Sequence, residues 1–136
     1  MKFGYFDDKA KEYVITTPHT PLPWINYLGS NDFFSLISNT CEDIAFIKMQ
    51  NCCELPGTVI IIFLQIPNGK YYYINDDGVI WNPGTMPSAT ETDTYECRHG
   101  LGYSRFCSSK NNLKAELLVF VPSDASCEIN CLKTEK

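Results

Sequence analysis

The sequence predicts an all-β fold, an antiparallel β-sandwich. Three observations carry that expectation. Short aromatic and β-branched runs, Tyr95 to His99, Leu101 to Cys107, Leu113 to Val121 and Cys127 to Leu132, recur at regular spacing with Gly, Asn, Lys and Pro between them. That is the pattern of short strands joined by turns. The tetrapeptide NDDG, Asn75 to Gly78, separates the runs Tyr71 to Ile74 and Val79 to Trp81 and supplies the residues a tight hairpin demands. At the other end, Phe3 to Phe6 and Glu12 to Thr16 are divided by the polar DDKAK, again a hairpin pattern.

Between these anchors each segment has its own logic. TTPHTPLPW places Pro18, Pro21 and Pro23 close together, and proline fixes φ while biasing the preceding residue away from the helical region, so Thr17 to Trp24 should be an extended connector. Ser30 to Asn39 fits two descriptions: Ser30 could cap a short helix over NDFFSLIS, and the same residues tolerate a strand. The run VIIIFL, Val59 to Leu64, is uncharged and strongly β-prone, able to pair as a strand and prone to aggregate. Neither an internal repeat nor a low-complexity tract is present.

Composition narrows the function. The 136 residues favour one domain with enough chain for a core, and a 44% hydrophobic content is that of a globular protein. A net charge of −5 without a basic cluster excludes a nucleic-acid footprint, which needs grouped Lys and Arg. The start MKFGYFDDKAKEYV lacks an apolar run of signal-peptide length, and Val59 to Leu64 is too short to span a bilayer. A cytoplasmic protein without a membrane partner is therefore expected. Seven cysteines form no CxxC pair, so neither a disulfide framework nor a zinc site is expected, and no cofactor is.

The chemistry-bearing residues read mostly as structure. Cys97 and His99, two apart in ECRHG, would point the same way from a strand, and packing or hydrogen bonding explains them better than a metal with no further ligand at metal spacing. His19 in the proline connector reads as a surface residue. Asp7 with Asp8 and Asp76 with Asp77 sit in hairpin turns, where acidic residues serve backbone geometry and where neighbours on one loop cannot straddle a glycosidic bond. There is no GxSxG, glycine-rich phosphate loop or HExxH, so no catalytic residue is assigned. Trp24, Trp81 and Tyr73 are the candidate sugar contacts, since a flat aromatic face suits a pyranose ring, although large aromatics more often build a core. Within Tyr71, Tyr72 and Tyr73, strand alternation sends Tyr72 the opposite way from its neighbours.

Longer blocks are more specific than any of these motifs. The opening MKFGYFDDKAKEYVITTPHTPLPWINYLGSNDFFSLISNT, then NGKYYYINDDGVIWNPG (Asn68 to Gly84), YECRHGLGYSRF (Tyr95 to Phe106) and AELLVFVP (Ala115 to Pro122), resemble in order the start of the cellobiose phosphorylase family, the inverting disaccharide phosphorylases of glycoside hydrolase family ninety-four. The resemblance implies part of the family's N-terminal supersandwich, a strand over Ser30 to Asn39, and a parent reaction converting cellobiose and phosphate to glucose 1-phosphate and glucose. It also implies that the acid and the phosphate-binding residues lie in a helical barrel following this region, and that the parent is a homodimer. Residues 1–136 are then expected to be an incomplete sandwich, inactive alone, with its docking face exposed. The alternatives are a free-standing carbohydrate-binding module holding a β-glucoside through Trp24, Trp81 or Tyr73, and a fragment that never accumulates.

One stretch departs from the resemblance. Cys41 to Gln65, CEDIAFIKMQNCCELPGTVIIIFLQ, matches nothing in the family as written. Read in a frame that takes the last base of each codon with the first two of the next, compatible codons give GYSFYKDA and KLLRITRYRYNNIP, which resemble the family at this place. Met49 followed by Gln50 forces the alanine of that string, and Asn51, Cys52 and Cys53 force both leucines. Residues 41–67 are thus expected to be a frameshifted segment, with the tail after CEINCLK ending at a premature stop. The expected outcome in the gene is TGC at Cys53, because TGT would create a stop in the shifted frame; sequencing the DNA through this stretch and beyond the last codon checks it.

Overall fold

A computed structural model of the chain describes residues 2–29, 33–49, 60–64 and 71–136. Twelve strands run in order: β1 (Gly4–Asp7), β2 (Glu12–Ile15), β3 (Ile25–Gly29), β4 (Phe33–Ser38), β5 (Asp43–Met49), β6 (Ile60–Leu64), β7 (Ile74–Asp76), β8 (Val79–Trp81), β9 (Thr94–Gly100), β10 (Tyr103–Lys110), β11 (Leu113–Phe120) and β12 (Ile129–Glu135). They form a six-stranded sheet ordered β1-β2-β9-β10-β11-β12, a four-stranded sheet ordered β3-β4-β5-β6, and the β7-β8 hairpin. Every pairing is antiparallel. The all-β class and the sandwich are as the sequence predicts.

Alternation builds the core. In β10 and β11 the buried positions are Ser104, Phe106 and Ser108, and Ala115, Leu117 and Val119, the period of two that sends one row of side chains inward. Ile15 and Cys97, opposite each other between β2 and β9, join that row and meet Leu28, Phe33 and Ile37 of the smaller sheet. Closing two sheets over one apolar layer removes the inner face of each from water, at about 25 cal/mol per Å².

Local chemistry explains the turns. In the opening hairpin Asp7 Oδ1 accepts the N–H groups of Lys9 and Ala10 at 3.2 and 3.1 Å, the backbone role expected of that acid. At NDDG, Asp77 and Gly78 take φ of 49° and 88°, the left-handed pair of a two-residue hairpin turn, and the Gly78 N–H donates to Asn75 Oδ1 at 2.9 Å. The strand leading into this turn is Ile74–Asp76, not Tyr71 to Ile74, because the ladder with β8 opposes Asp76 to Val79 and so starts at Ile74. Tyr72 packs against the core while Tyr73 is exposed. Gly84 is a close approach, since a Cβ there would lie 2.1 Å from the Cys41 Cβ.

Ser30 to Asn39 resolves to a strand where it is described, Phe33–Ser38, because β3 and β5 flank it on both sides and take up its backbone groups. Of Cys41 to Gln65, residues 50–59 and 65 lie outside the described residues, as do 66 and 67. Asp43–Met49 and Ile60–Leu64 pair with each other, so the apolar run is a strand as expected. Asp43 stands opposite Ile37 in the buried row, which also contains the buried Ser35.

Polar groups stitch the layers at one place. The Trp24 N–H donates to Asn39 Oδ1 at 2.9 Å and the Asn39 N–H donates back to the Trp24 carbonyl at 2.8 Å. Asn39 Nδ2 donates to the Pro18 carbonyl at 3.3 Å, and the Tyr95 hydroxyl donates to the Asn39 carbonyl. Asn39 is fully buried, so its removal leaves buried groups without partners. Asn39→Ala is expected to destabilise the chain by about 2–3 kcal/mol, as read from urea unfolding of the variant beside the unmodified chain.

Candidate functional site

The proline connector ends where Trp24 meets the opening hairpin. The Trp24 ring lies 5.2 Å from that of Tyr13 at an interplanar angle of 50° and 6.2 Å from that of Phe3 at 75°, and Tyr13 meets Phe6 edge-on at 4.7 Å. These offset geometries are the favourable ones for aromatic pairs. Beside them opens a cleft of about 540 Å³, floored by Tyr13, Trp24 and His99 and rimmed by Phe6, Asp7 and Lys11. An aromatic floor with charged groups at the edge is a shape that suits a sugar.

Three candidate contacts from the sequence are thus separated. Trp24 is half-buried and lines this cleft. Trp81 is 0% exposed and offers no ring face to a ligand; its role is in the interior, where its indole N–H has no partner among the described residues. Tyr73 is 58% exposed, tilted against Tyr71 at 6.3 Å, and does not line the cleft.

Two carboxylates beside the cleft, Asp7 and Glu12, are engaged by one guanidinium that also holds Glu96. Arg98 Nη1 donates to Glu12 Oε2 at 2.9 Å and reaches Asp7 Oδ2 at 3.5 Å, and its Nε donates to Glu96 Oε1 at 2.6 Å. The Tyr103 hydroxyl donates to Glu12 as well. Burial works to raise the Glu12 carboxyl, and the hydrogen bonds from Tyr103 and Arg98 with the Arg98 charge outweigh it, holding the group below its ordinary range. The bonds to Glu96 and Glu12 in turn raise Arg98. A carboxylate held ionised in this way cannot serve as a general acid near neutral pH.

Cys97 and His99 do share a face, as their spacing predicts, and the Sγ lies 3.8 Å from each ring nitrogen. His99 Nδ1 is 2.9 Å from Ser104 Oγ and Nε2 is 3.2 Å from the Trp24 carbonyl. A carbonyl can only accept, so Nε2 carries the proton and Nδ1 accepts from the serine. Burial depresses the imidazole, only partly offset by the bond to Trp24, and burial raises the Cys97 thiol well above its usual range. The pair is a neutral ring beside a protonated thiol, a packing and hydrogen-bonding unit without the thiolate that nucleophilic chemistry needs. Among the described residues no three His, Cys, Asp or Glu side chains converge on a metal position, and Cys41, Cys97, Cys107, Cys127 and Cys131 are free thiols. His19 is exposed and pairs with Glu91 at 3.1 Å.

A larger groove, about 880 Å³, lies on the outer face of the six-stranded sheet. Cross-strand opposition of Glu116 to Lys133 and of Lys114 to Glu135 lines it with alternating charge, which such pairs largely neutralise. Sequence reasoning missed Asn26, Glu12 and Arg98. Asn26 Nδ2 donates to the carbonyls of Gly100 and Tyr103 at 3.0 and 2.9 Å and to Ser104 Oγ at 3.1 Å, fixing one wall of the cleft. The signal was a polar residue inside the apolar run INYL, which asks for a partner once buried.

The family model described as glycosyl hydrolase 94, supersandwich domain, matches residues 11–135. N,N'-diacetylchitobiose phosphorylase of Vibrio furnissii is similar at 36% identity over 137 residues, covering 95% of this chain and 16% of that protein. The 3-O-beta-D-glucopyranosyl-beta-D-glucuronide phosphorylase of Paenibacillus borealis is similar at 34% identity, covering 93% and 16%. Solabiose phosphorylase of the same organism is similar at 30%, covering 93% and 17%. The chain therefore spans only 16–17% of the length of these curated relatives.

Glu12 supplies a pH signature. A carboxyl whose folded pKa lies below its unfolded value, near 4.5, contributes stability that is full above that value and lost as pH falls through the folded one. The unmodified chain is expected to lose more unfolding free energy between about pH 6 and about pH 3 than Glu12→Gln does, as read from urea unfolding across that range.

Proposed function

The chain belongs to the glycosyl hydrolase 94 supersandwich-domain family, and from that premise we propose that it serves as the sandwich portion of an inverting β-disaccharide phosphorylase and carries none of the reacting groups itself. In such a reaction phosphate attacks the anomeric carbon while a carboxylic acid protonates the departing sugar oxygen. The observation that supports this role is the Arg98 cluster: Asp7 and Glu12, which border the aromatic cleft, converge with Glu96 on one guanidinium. They act as structure, and the acid and phosphate ligands belong to a helical barrel in the parent enzyme.

What the relatives' names share is phosphorolysis, while the disaccharides differ. Cellobiose, the sugar suggested by the sequence resemblance, is the substrate proposed for the parent, with a homodimer as its assembly and the cytoplasm as its place. Among the described residues no helix is long and apolar enough to cross a membrane. The reading of residues 41–67 as a frameshifted segment belongs to the same proposal and draws support from a buried acid, Asp43, opposite Ile37.

A second reading, a carbohydrate-binding module, is favoured by the Tyr13 and Trp24 floor of the cleft. The two separate by experiment. Purified chain incubated with cellobiose or N,N'-diacetylchitobiose and phosphate is expected to release no sugar 1-phosphate above a buffer blank, and turnover would overturn the non-catalytic role. Calorimetric titration with cellobiose that shows heat of binding, abolished by Trp24→Ala and kept by Tyr73→Ala, would establish the module reading instead.

A further inference from the structure

The imidazole of His99 sits where the connector, the smaller sheet and β9 meet. Its Nε2 donates to the Trp24 carbonyl at 3.2 Å, and the same carbonyl accepts the Asn39 N–H at 2.8 Å. Its Nδ1 accepts from the Ser104 hydroxyl at 2.9 Å, while the Ser104 oxygen accepts from Asn26 Nδ2 at 3.1 Å. Ser104 is 0% exposed. The relay runs one way, Asn26 to Ser104 to His99 to Trp24, and it closes only while the ring carries a single proton. His99 is half-buried and lines the aromatic cleft beside Trp24, so solvent protons reach it.

We propose that His99 is an acid-operated latch on Trp24: a second proton on the ring breaks the relay and frees the Trp24 edge of the cleft while the sheets stay paired. With both nitrogens protonated, Nδ1 turns from acceptor to donor and meets a hydroxyl whose own hydrogen was aimed at it. Ser104 Oγ then faces two donors, and its hydrogen is left in a buried site where Asn26 already engages the carbonyls of Gly100 and Tyr103. The new charge also lacks a counter-ion. Cys97, with its Sγ 3.8 Å away, is a protonated thiol, and Tyr13, opposite on β2, presents a phenol rather than a carboxylate. Of the charged groups on the cleft, Asp7 and Glu12 are bound to Arg98, Lys11 repels a second cation, and Asp8 stands exposed in the hairpin loop, screened by water. The cation is satisfied by turning outward to the water of the cleft, which gives up both of its bonds. Trp24 then keeps only its bonds to Asn39. The backbone of His99 stays in its ladders with Tyr13 and Ser104, so the change is confined to side chains and the end of the connector. Burial holds the imidazole below its ordinary 6.5; the latch is closed above that value, and the stability it contributes is lost as pH falls through the folded one. The device works with or without a sugar in the cleft and is independent of both readings of function.

Acrylamide quenching of tryptophan emission, followed from about pH 7.5 to about pH 5, tests this. Trp81 is 0% exposed, so quenching reports on Trp24. In the unmodified chain quenching is expected to increase as pH falls, with a midpoint below 6.5, while the far-ultraviolet circular dichroism spectrum stays constant. The chain has two histidines, His19 and His99, and in His19→Asn the nuclear magnetic resonance titration of the remaining imidazole should share that midpoint. Ser104→Ala removes the hydroxyl that favours the neutral ring, so its midpoint should move up toward 6.5. His99→Gln, whose amide still donates to the Trp24 carbonyl without titrating, should show no transition. Flat quenching in the unmodified chain, a transition that survives in His99→Gln, a Ser104→Ala midpoint that stays or falls, or a transition that coincides with loss of the circular dichroism signal would each overturn the proposal.

Discussion

The sandwich depends on one buried polar seam. Trp24 and Asn39 exchange backbone and side-chain hydrogen bonds, His99 donates to the same Trp24 carbonyl, and Asn26 donates to Gly100, Tyr103 and Ser104. The three contributions come from the connector and smaller sheet on one side and from β9 and β10 on the other. Apolar burial holds two sheets together without fixing how one slides over the other, because it is non-directional. Hydrogen bonds between buried groups are directional and costly to leave unmade, so the seam sets the register of the layers. The aromatic cleft is its by-product: Trp24 can line it only because its backbone is held from both sheets.

The same constraint explains why conspicuous residues turn out to be structural. His99 looks like a catalytic or metal-binding group in the sequence, yet both ring nitrogens are spent on Ser104 and Trp24. Arg98 gathers Asp7, Glu12 and Glu96 on the outer face of the six-stranded sheet, tying together strands separated by most of the chain. Charge here is consumed internally.

Legibility in the sequence followed the range of the interaction. The NDDG hairpin could be read because Asn75, Asp77 and Gly78 make the turn by themselves, and the opening hairpin because Asp7 caps its own loop. β9 to β11 could be read because period-two burial leaves its mark within each strand. Ser30 to Asn39 could not be decided from its own residues, since Phe, Leu, Ile and Ser suit either a short helix or a strand until β3 and β5 supply partners. Asn39, Glu12 and Arg98 were invisible for a related reason: the partners that give them meaning lie as far away as the separation of Glu12 from Arg98. Trp81 was legible only as a choice between core and ligand face, and the fold put it inside.

One feature of connectivity reaches into how the protein is made. β2 pairs with β9, Ile15 opposite Cys97, so the hairpin at the start of the chain closes its sheet only after the segment between them has been synthesised. At a translation rate of about 5–20 residues per second that interval lasts several seconds. β3, β4, β5 and β6 are sequence neighbours that pair in order, and they leave the ribosome during the wait. The smaller sheet therefore has the opportunity to assemble first, as a nascent platform whose inner face stays uncovered until the strands of the larger sheet arrive. During that window the growing polypeptide is the client a chaperone would recognise.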